Sequence, residues 1–229
     1  MKNIWVIICL MSISLVGTAQ TKANQFTKAT DSDPKAKKIL DKVKKQYDTY
    51  QSLYSEFILE IEIPEQAKEV QKGKIAQQGD KYRFELQAQE FICDGETVWI
   101  YLKKNKEVQI NDAEVAEEDG EMLSPKKLLT IYEQGEYAYM LTNETYIDRV
   151  AVQQIEFKPL DEDSEYFKIR LTVEKKSSKV QSIKIFSKDG SRFTLTMNKI
   201  VPNKKFAADY FSFVRSKYPK DVHVEDLRE

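Results

Sequence analysis

The chain has 229 residues, 32% of them charged and 41% hydrophobic, and its 36 Lys and Arg nearly cancel 37 Asp and Glu to leave a formal charge of −1. That apolar share supports one folded domain, or at most two, and excludes a disordered chain; the even charge balance gives no global field for nucleic acid or an anionic membrane. The single histidine, His223, lies near the end, which excludes His-rich metal sites and disfavours Ser-His or Cys-His nucleophilic chemistry, because such a base must be held within hydrogen-bond reach by a packed scaffold. The composition points to a binding protein and not an enzyme, with no catalytic residue, metal or cofactor expected.

Met1 to Ala19 carries Lys2, then an apolar run from Ile4 to Val16, then the small residues Gly17, Thr18 and Ala19. This pattern reads as a secretory signal peptide cleaved before Gln20, and it predicts a periplasmic protein. The run is shorter than the ~18 apolar residues of a spanning helix, and nothing later in the chain approaches that length; the competing reading is a short membrane anchor. Cys9 sits in mid-run without the small residues that lipoprotein processing requires, so only Cys93 remains after cleavage, and it reads as a small core hydrophobe. Residues 20–32 are polar and read as a flexible leader, which leaves 33–229 as a single domain.

Folding begins at Asp33, which can cap a helix whose first residue is Pro34; Ala36, Ile39, Leu40, Val43, Tyr47 and Tyr50 recur at helical spacing. The opposite face is rich in lysine, including Lys37, Lys38, Lys42, Lys44 and Lys45, and reads as a solvated face or a docking surface for an anionic partner. After Ser52 the period becomes two. Leu53, Ser55, Phe57, Leu59, Ile61 and Ile63 alternate with Tyr54, Glu56, Ile58, Glu60 and Glu62, and the same pattern recurs around Tyr82–Leu86, Phe167–Val173 and Phe193–Met197. Gly79-Asp80, Asp94-Gly95, Asp189-Gly190, Lys103 to Lys106 and Lys175 to Lys179 read as the turns between hairpins. About ten antiparallel strands are expected from this spacing.

Beyond the acidic stretch Asp112 to Glu121, read as a solvated linker, Ser124 can cap a second helix with Pro125 at its first position. Leu128, Leu129, Ile131 and Tyr132 give that helix an apolar side. Two short helices cannot cover so wide an apolar sheet, so the predicted fold is mainly β with two helical segments, a curved antiparallel sheet forming an incomplete β-barrel under a helical lid. Alternation alone fits a hollow interior and a filled one equally well.

The order of elements and several short motifs resemble the periplasmic outer-membrane lipoprotein carriers, the LolA-like family. The marks are Gly73-Lys74-Ile75 with Lys81-Tyr82-Arg83-Phe84, the run Asp94-Gly95-Glu96-Thr97-Val98-Trp99-Ile100-Tyr101, Ser124-Pro125 with Leu128-Leu129, and the ending Phe211-Ser212-Phe213 through Pro219, Val222, Val224, Asp226 and Arg228. The resemblance spans Asp33 to Arg228 and implies a cavity that accepts acyl chains without covalent chemistry. One departure stands out: where many members carry a basic residue before proline that latches the lid, this chain has Gln78 followed by Gly79 and Asp80.

The expected function is a periplasmic carrier that shuttles acylated lipoproteins towards the outer membrane. Its candidate cavity residues are Phe57, Leu59, Ile61, Tyr82, Phe84, Leu86, Trp99, Tyr101, Ile169 and Leu171, with Leu128, Leu129, Ile131 and Tyr132 as lid residues. The resemblance also implies an inner-membrane release complex and an outer-membrane acceptor as partners of a monomer that binds no nucleic acid. The alternative is a lipid-sensing periplasmic regulatory or structural domain built on the same curved sheet.

Overall fold

A computed structural model of the protein describes residues 28–113 and 130–228. The chain runs through helix α1 (Pro34–Asp48), then β1 (Leu53–Glu62), β2 (Glu69–Gln78), β3 (Lys81–Glu85), β4 (Gln89–Cys93), β5 (Thr97–Leu102) and β6 (Glu107–Asp112). Beyond a 3-10 turn at Ile131–Glu133 come β7 (Tyr137–Ile147), β8 (Val150–Pro159), β9 (Tyr166–Glu174), β10 (Val180–Ser187), β11 (Arg192–Pro202) and β12 (His223–Asp226). All twelve strands join one sheet in the order β12-β6-β5-β4-β3-β2-β1-β11-β10-β9-β8-β7. Its ends, β7 and β12, do not meet, so the sheet is an incomplete barrel.

The sheet has two strands more than the sequence suggests. β4 and β5 are apolar on both faces, so Phe91–Cys93 and Val98–Leu102 show no alternation to count; β12 is four exposed residues that pair with β6 in parallel, outside any hairpin. Only part of the second helix, Ser124 to Glu133, falls among the described residues, and that part is the 3-10 turn. Leu128 and Leu129 lie outside them, as do residues 1–27. The described end of the leader is anchored: Ala29–Asp31 forms a 3-10 turn, and Ser32 Oγ accepts from the Tyr139 N–H at 3.2 Å, because the free edge of β7 still needs hydrogen-bond partners.

α1 starts where its cap demands. Asp33 Oδ1 accepts from the Lys35 N–H at 2.8 Å with Pro34 at the first helical position, and the helix then buries Ala36, Leu40 and Val43. The hairpin turns sit at the expected glycines; Gly95 has φ +102, and Asp94 Oδ1 accepts from the N–H groups of Glu96 and Thr97. Gly73 answers a different need. A Cβ there would stand 2.2 Å from the ring of Phe57, which is fully buried and stacked on Phe84 at 5.0 Å.

Residues paired across an antiparallel ladder share a face. The face on which α1 packs is the inner one. On the outer face the chain between β11 and β12 packs over β1 and β2: Phe211 buries against Tyr54 and Ala76, with Phe206 and Tyr210 beside it. Arg83 holds this segment by donating to the Tyr210 carbonyl at 2.9 Å and to buried Glu90, which also accepts from the Tyr218 hydroxyl at 3.2 Å.

Candidate functional site

Two continuous rows of apolar side chains cross the inner face. Strand pairing aligns Leu59, Leu195, Ile183, Leu171, Ile155 and Leu141 in one row, and Ile61, Phe193, Ile185, Ile169, Phe157 and Tyr139 in the other. Each row spans six strands from β1 to β7, about 24 Å at the usual strand spacing. At β2 both rows end in polar residues, Gln71 opposite Leu59 and Glu69 opposite Ile61, with Gln71 Nε2 donating to Glu69 at 2.7 Å.

The β7 to β10 end is packed. Ala36, Leu40 and Val43 of α1 join Ile131, Tyr132, Tyr137, Tyr139, Ile155, Phe157, Ile169 and Leu171 in one buried cluster. A pocket of about 20 Å³ lies among Leu40, Val43, Ile131, Tyr132, Phe157, Ile169, Leu171 and Ile183, room for about one water and not for an acyl chain. Tyr132 closes it from the helix side, its ring edge-on to Tyr139 at 6.0 Å and its hydroxyl donating to Asp41 Oδ1 at 3.0 Å. Desolvation raises the Asp41 carboxyl, but hydrogen bonds from Lys37 and Tyr132 outweigh it and hold the group below the usual aspartate range. Burial likewise pushes the Tyr47 hydroxyl, which accepts from the Val180 N–H, up to about 12.

The β1 and β11 stretch is different. Leu59, Ile61, Phe193 and Leu195 are all half-buried, Ile183 and Ile185 of β10 pack against the edge of the α1 cluster, and Phe84, Phe91, Ile100 and Leu102 continue the half-buried surface across β3 to β5. None of Leu59, Ile61, Phe193 and Leu195 belongs to the cluster built around α1. Among the described residues, this half-buried apolar stretch beside a packed one is what the arrangement offers chemically: a surface for hydrocarbon.

The sequence-derived candidates divide accordingly. Leu59, Ile61 and Phe84 lie on the open stretch; Ile169 and Leu171 lie under α1; Phe57 is fully buried; Tyr82 packs with Cys93 and Val98 in a small core of its own. Three depart from expectation. Trp99 and Tyr101 face outward, Trp99 paired with Ile92 and Ile110 and Tyr101 edge-on to Tyr218 at 5.0 Å; in the unbroken apolar run Val98–Leu102 nothing marks the inner side. Leu86 lies past the end of β3, its N–H donating to Gln89, and it lines a polar trough of about 420 Å³ with Glu56, Lys72, Lys74, Glu85 and Lys103. Phe167, at the start of the alternation Phe167–Val173, is 45% exposed beside a register shift at Phe186/Ser187, with its ring 6.1 Å from that of Phe186. Gln78 is exposed at the β2–β3 turn. Phe91, Phe193 and Leu195 are not among the candidates, although the alternation Phe193–Met197 carries the signal for two of them.

Residues 48–214 match the family described as outer membrane lipoprotein carrier protein LolA. The chain belongs to the LolA family. A comparison with curated proteins finds no match. Among solved structures, an uncharacterized conserved protein from Thermus thermophilus is similar with a TM-score of 0.55 at 13% identity, covering 84% of this chain and 99% of that one. The lipoprotein LppX of Mycobacterium tuberculosis gives 0.49 at 10% identity, over 78% of this chain and 100% of its own. The LolA superfamily protein NE2245 of Nitrosomonas europaea gives 0.39 at 12% identity, over 78% and 97%. The first of these likenesses bears on the fold alone.

Proposed function

We propose that this LolA-family chain is an exported carrier that takes acyl chains of lipoproteins onto the inner face of its sheet and shuttles them through the periplasm towards the outer membrane. The observation that carries the reading is the pair of apolar rows, which are half-buried at β1 and β11 and run without a break under α1. Burying hydrocarbon is worth about 0.8 kcal/mol per methylene, so a dozen methylenes would contribute on the order of 10 kcal/mol before ordering costs. The closed pocket beneath Tyr132 must widen to admit a chain, and Ile131 and Tyr132 form part of its wall. Ile131 and Tyr132 act in this reading as the moving edge of the lid.

The carrier works as a monomer without covalent chemistry, receives cargo from an inner-membrane release complex and gives it to an outer-membrane acceptor. Export rests on the apolar run Ile4 to Val16 and cleavage before Gln20. The test is recovery of the protein from its native periplasm, with mass spectrometry of the intact chain and of co-purifying lipid. A chain beginning at Gln20 and carrying acylated peptide supports the reading; an uncleaved chain, or a folded protein that binds no acylated peptide or hydrophobic probe, overturns it.

A further inference from the structure

α1 carries six lysines, and they form two distinct stripes. At about 100° per residue, Lys37, Asp41, Lys44 and Asp48 fall on the flank nearer Tyr132, where they pair with one another: Lys37 with Asp41 at 2.9 Å and Lys44 with Asp48 at 3.0 Å. Lys35, Lys38, Lys42 and Lys45, spaced three, four and three residues apart, fall on the side facing away from buried Ala36, Leu40 and Val43. All four are exposed, and none of them forms an ion pair among the described residues. Glu144 of β7, bridged to Lys175 at 3.4 Å, also lies within the field of Lys35.

We propose that α1 docks on an anionic membrane surface through Lys35, Lys38, Lys42 and Lys45. The stripe is about 15 Å long and runs along the convex outer side of a single helix. Its cations are all lysine, compact point charges suited to a diffuse field of headgroups, where reading of individual carboxylates on a protein would favour the bidentate fork of arginine. The whole chain carries −1, so this is a local concentration of charge and not the surface of a basic protein. Docking there places the apolar pocket one helix diameter, about 10 Å, from the headgroups. The stripe up to Lys45 precedes residues 48–214, so the family match does not include it.

The test is co-sedimentation of the purified protein with vesicles of phosphatidylglycerol and phosphatidylcholine, beside vesicles of phosphatidylcholine alone. Binding should require the anionic lipid and fall as salt shortens the screening length. Each of Lys35→Gln, Lys38→Gln, Lys42→Gln and Lys45→Gln should weaken it by about fivefold, Lys→Arg at the same positions should preserve it, and the same charge removed at Lys72 and Lys74 should change it little. Failure of the wild type to bind anionic vesicles at low salt, or undiminished binding by the quadruple Gln variant, overturns the proposal. So does stripe-dependent binding to immobilised polyglutamate without binding to vesicles, which would assign the surface to an acidic protein partner. None of these outcomes depends on whether the inner face carries acyl chains.

Discussion

The same two rows of side chains behave differently at their two ends. Under α1, Ile155 is wholly buried and Phe157 is 3% exposed, whereas Leu59, Leu195, Ile61 and Phe193, at the far end of the same rows, stay half-buried. Residue type does not separate them, since both ends are aliphatic and aromatic. Among the described residues, what separates them is the helix and the turn at Ile131–Glu133, which finish the packing at the α1 end. The packed end is therefore expected to supply stability, and the open end to supply affinity for hydrocarbon.

Truncation gives the largest expected contrast. Phe157→Ala should cost about 3–5 kcal/mol in urea denaturation through the cavity it leaves, against about 1 kcal/mol for Leu195→Ala, whose side chain is already partly in water. Equal losses would erase the distinction between the ends. Gly73→Ala probes the join between the open stretch and β3, because its Cβ would enter the Phe57 ring; a cost of about 1–3 kcal/mol is expected by denaturation, with the Phe57–Phe84 stack disturbed.

Affinity should follow the opposite pattern. Leu59→Asn removes contact with about two methylenes of a bound chain, roughly a tenfold loss of affinity for a fluorescent acyl probe, while Trp99→Phe on the outer face should leave affinity unchanged. The smallest effect concerns the turn. Tyr132→Phe removes its hydrogen bond to Asp41 and should cost about 1 kcal/mol by denaturation, with faster probe uptake in stopped flow. Because the folded Asp41 carboxyl titrates below its unfolded value near 3.9, its contribution is present above that pH and is lost as pH falls through the folded value. Asp41→Asn should accordingly flatten the acid limb of the stability curve below about pH 4.

How much of this can be read from the sequence depends on local signals. The start of α1 is written in Asp33-Pro34, the inner face of β1 in the alternation of Phe57, Leu59 and Ile61, and the hairpin turns in Gly79-Asp80, Asp94-Gly95 and Asp189-Gly190. Trp99 and Tyr101 are misplaced by sequence reasoning because an unbroken apolar strand carries no face information. The cover over the outer face escapes it because Tyr54 and Ala76 meet Phe206, Tyr210 and Phe211 only through the tertiary fold. The aromatic density of that late segment is its one available signal. Openness is also beyond alternation, since Leu59 and Leu171 follow the same pattern and differ only in what α1 covers.

The most direct test of the account is photo-crosslinking of an acylated peptide, with the reactive group on the acyl chain, to the folded protein, followed by mapping of the modified residues. The account predicts labels at Leu59, Phe84, Phe193 and Leu195 on the inner face, extending to Ile183 and Ile169 as the chain enters beneath α1. Labels concentrated at Trp99, Tyr101 or Phe167 on the outer face, or no label on a protein that remains folded, would contradict it.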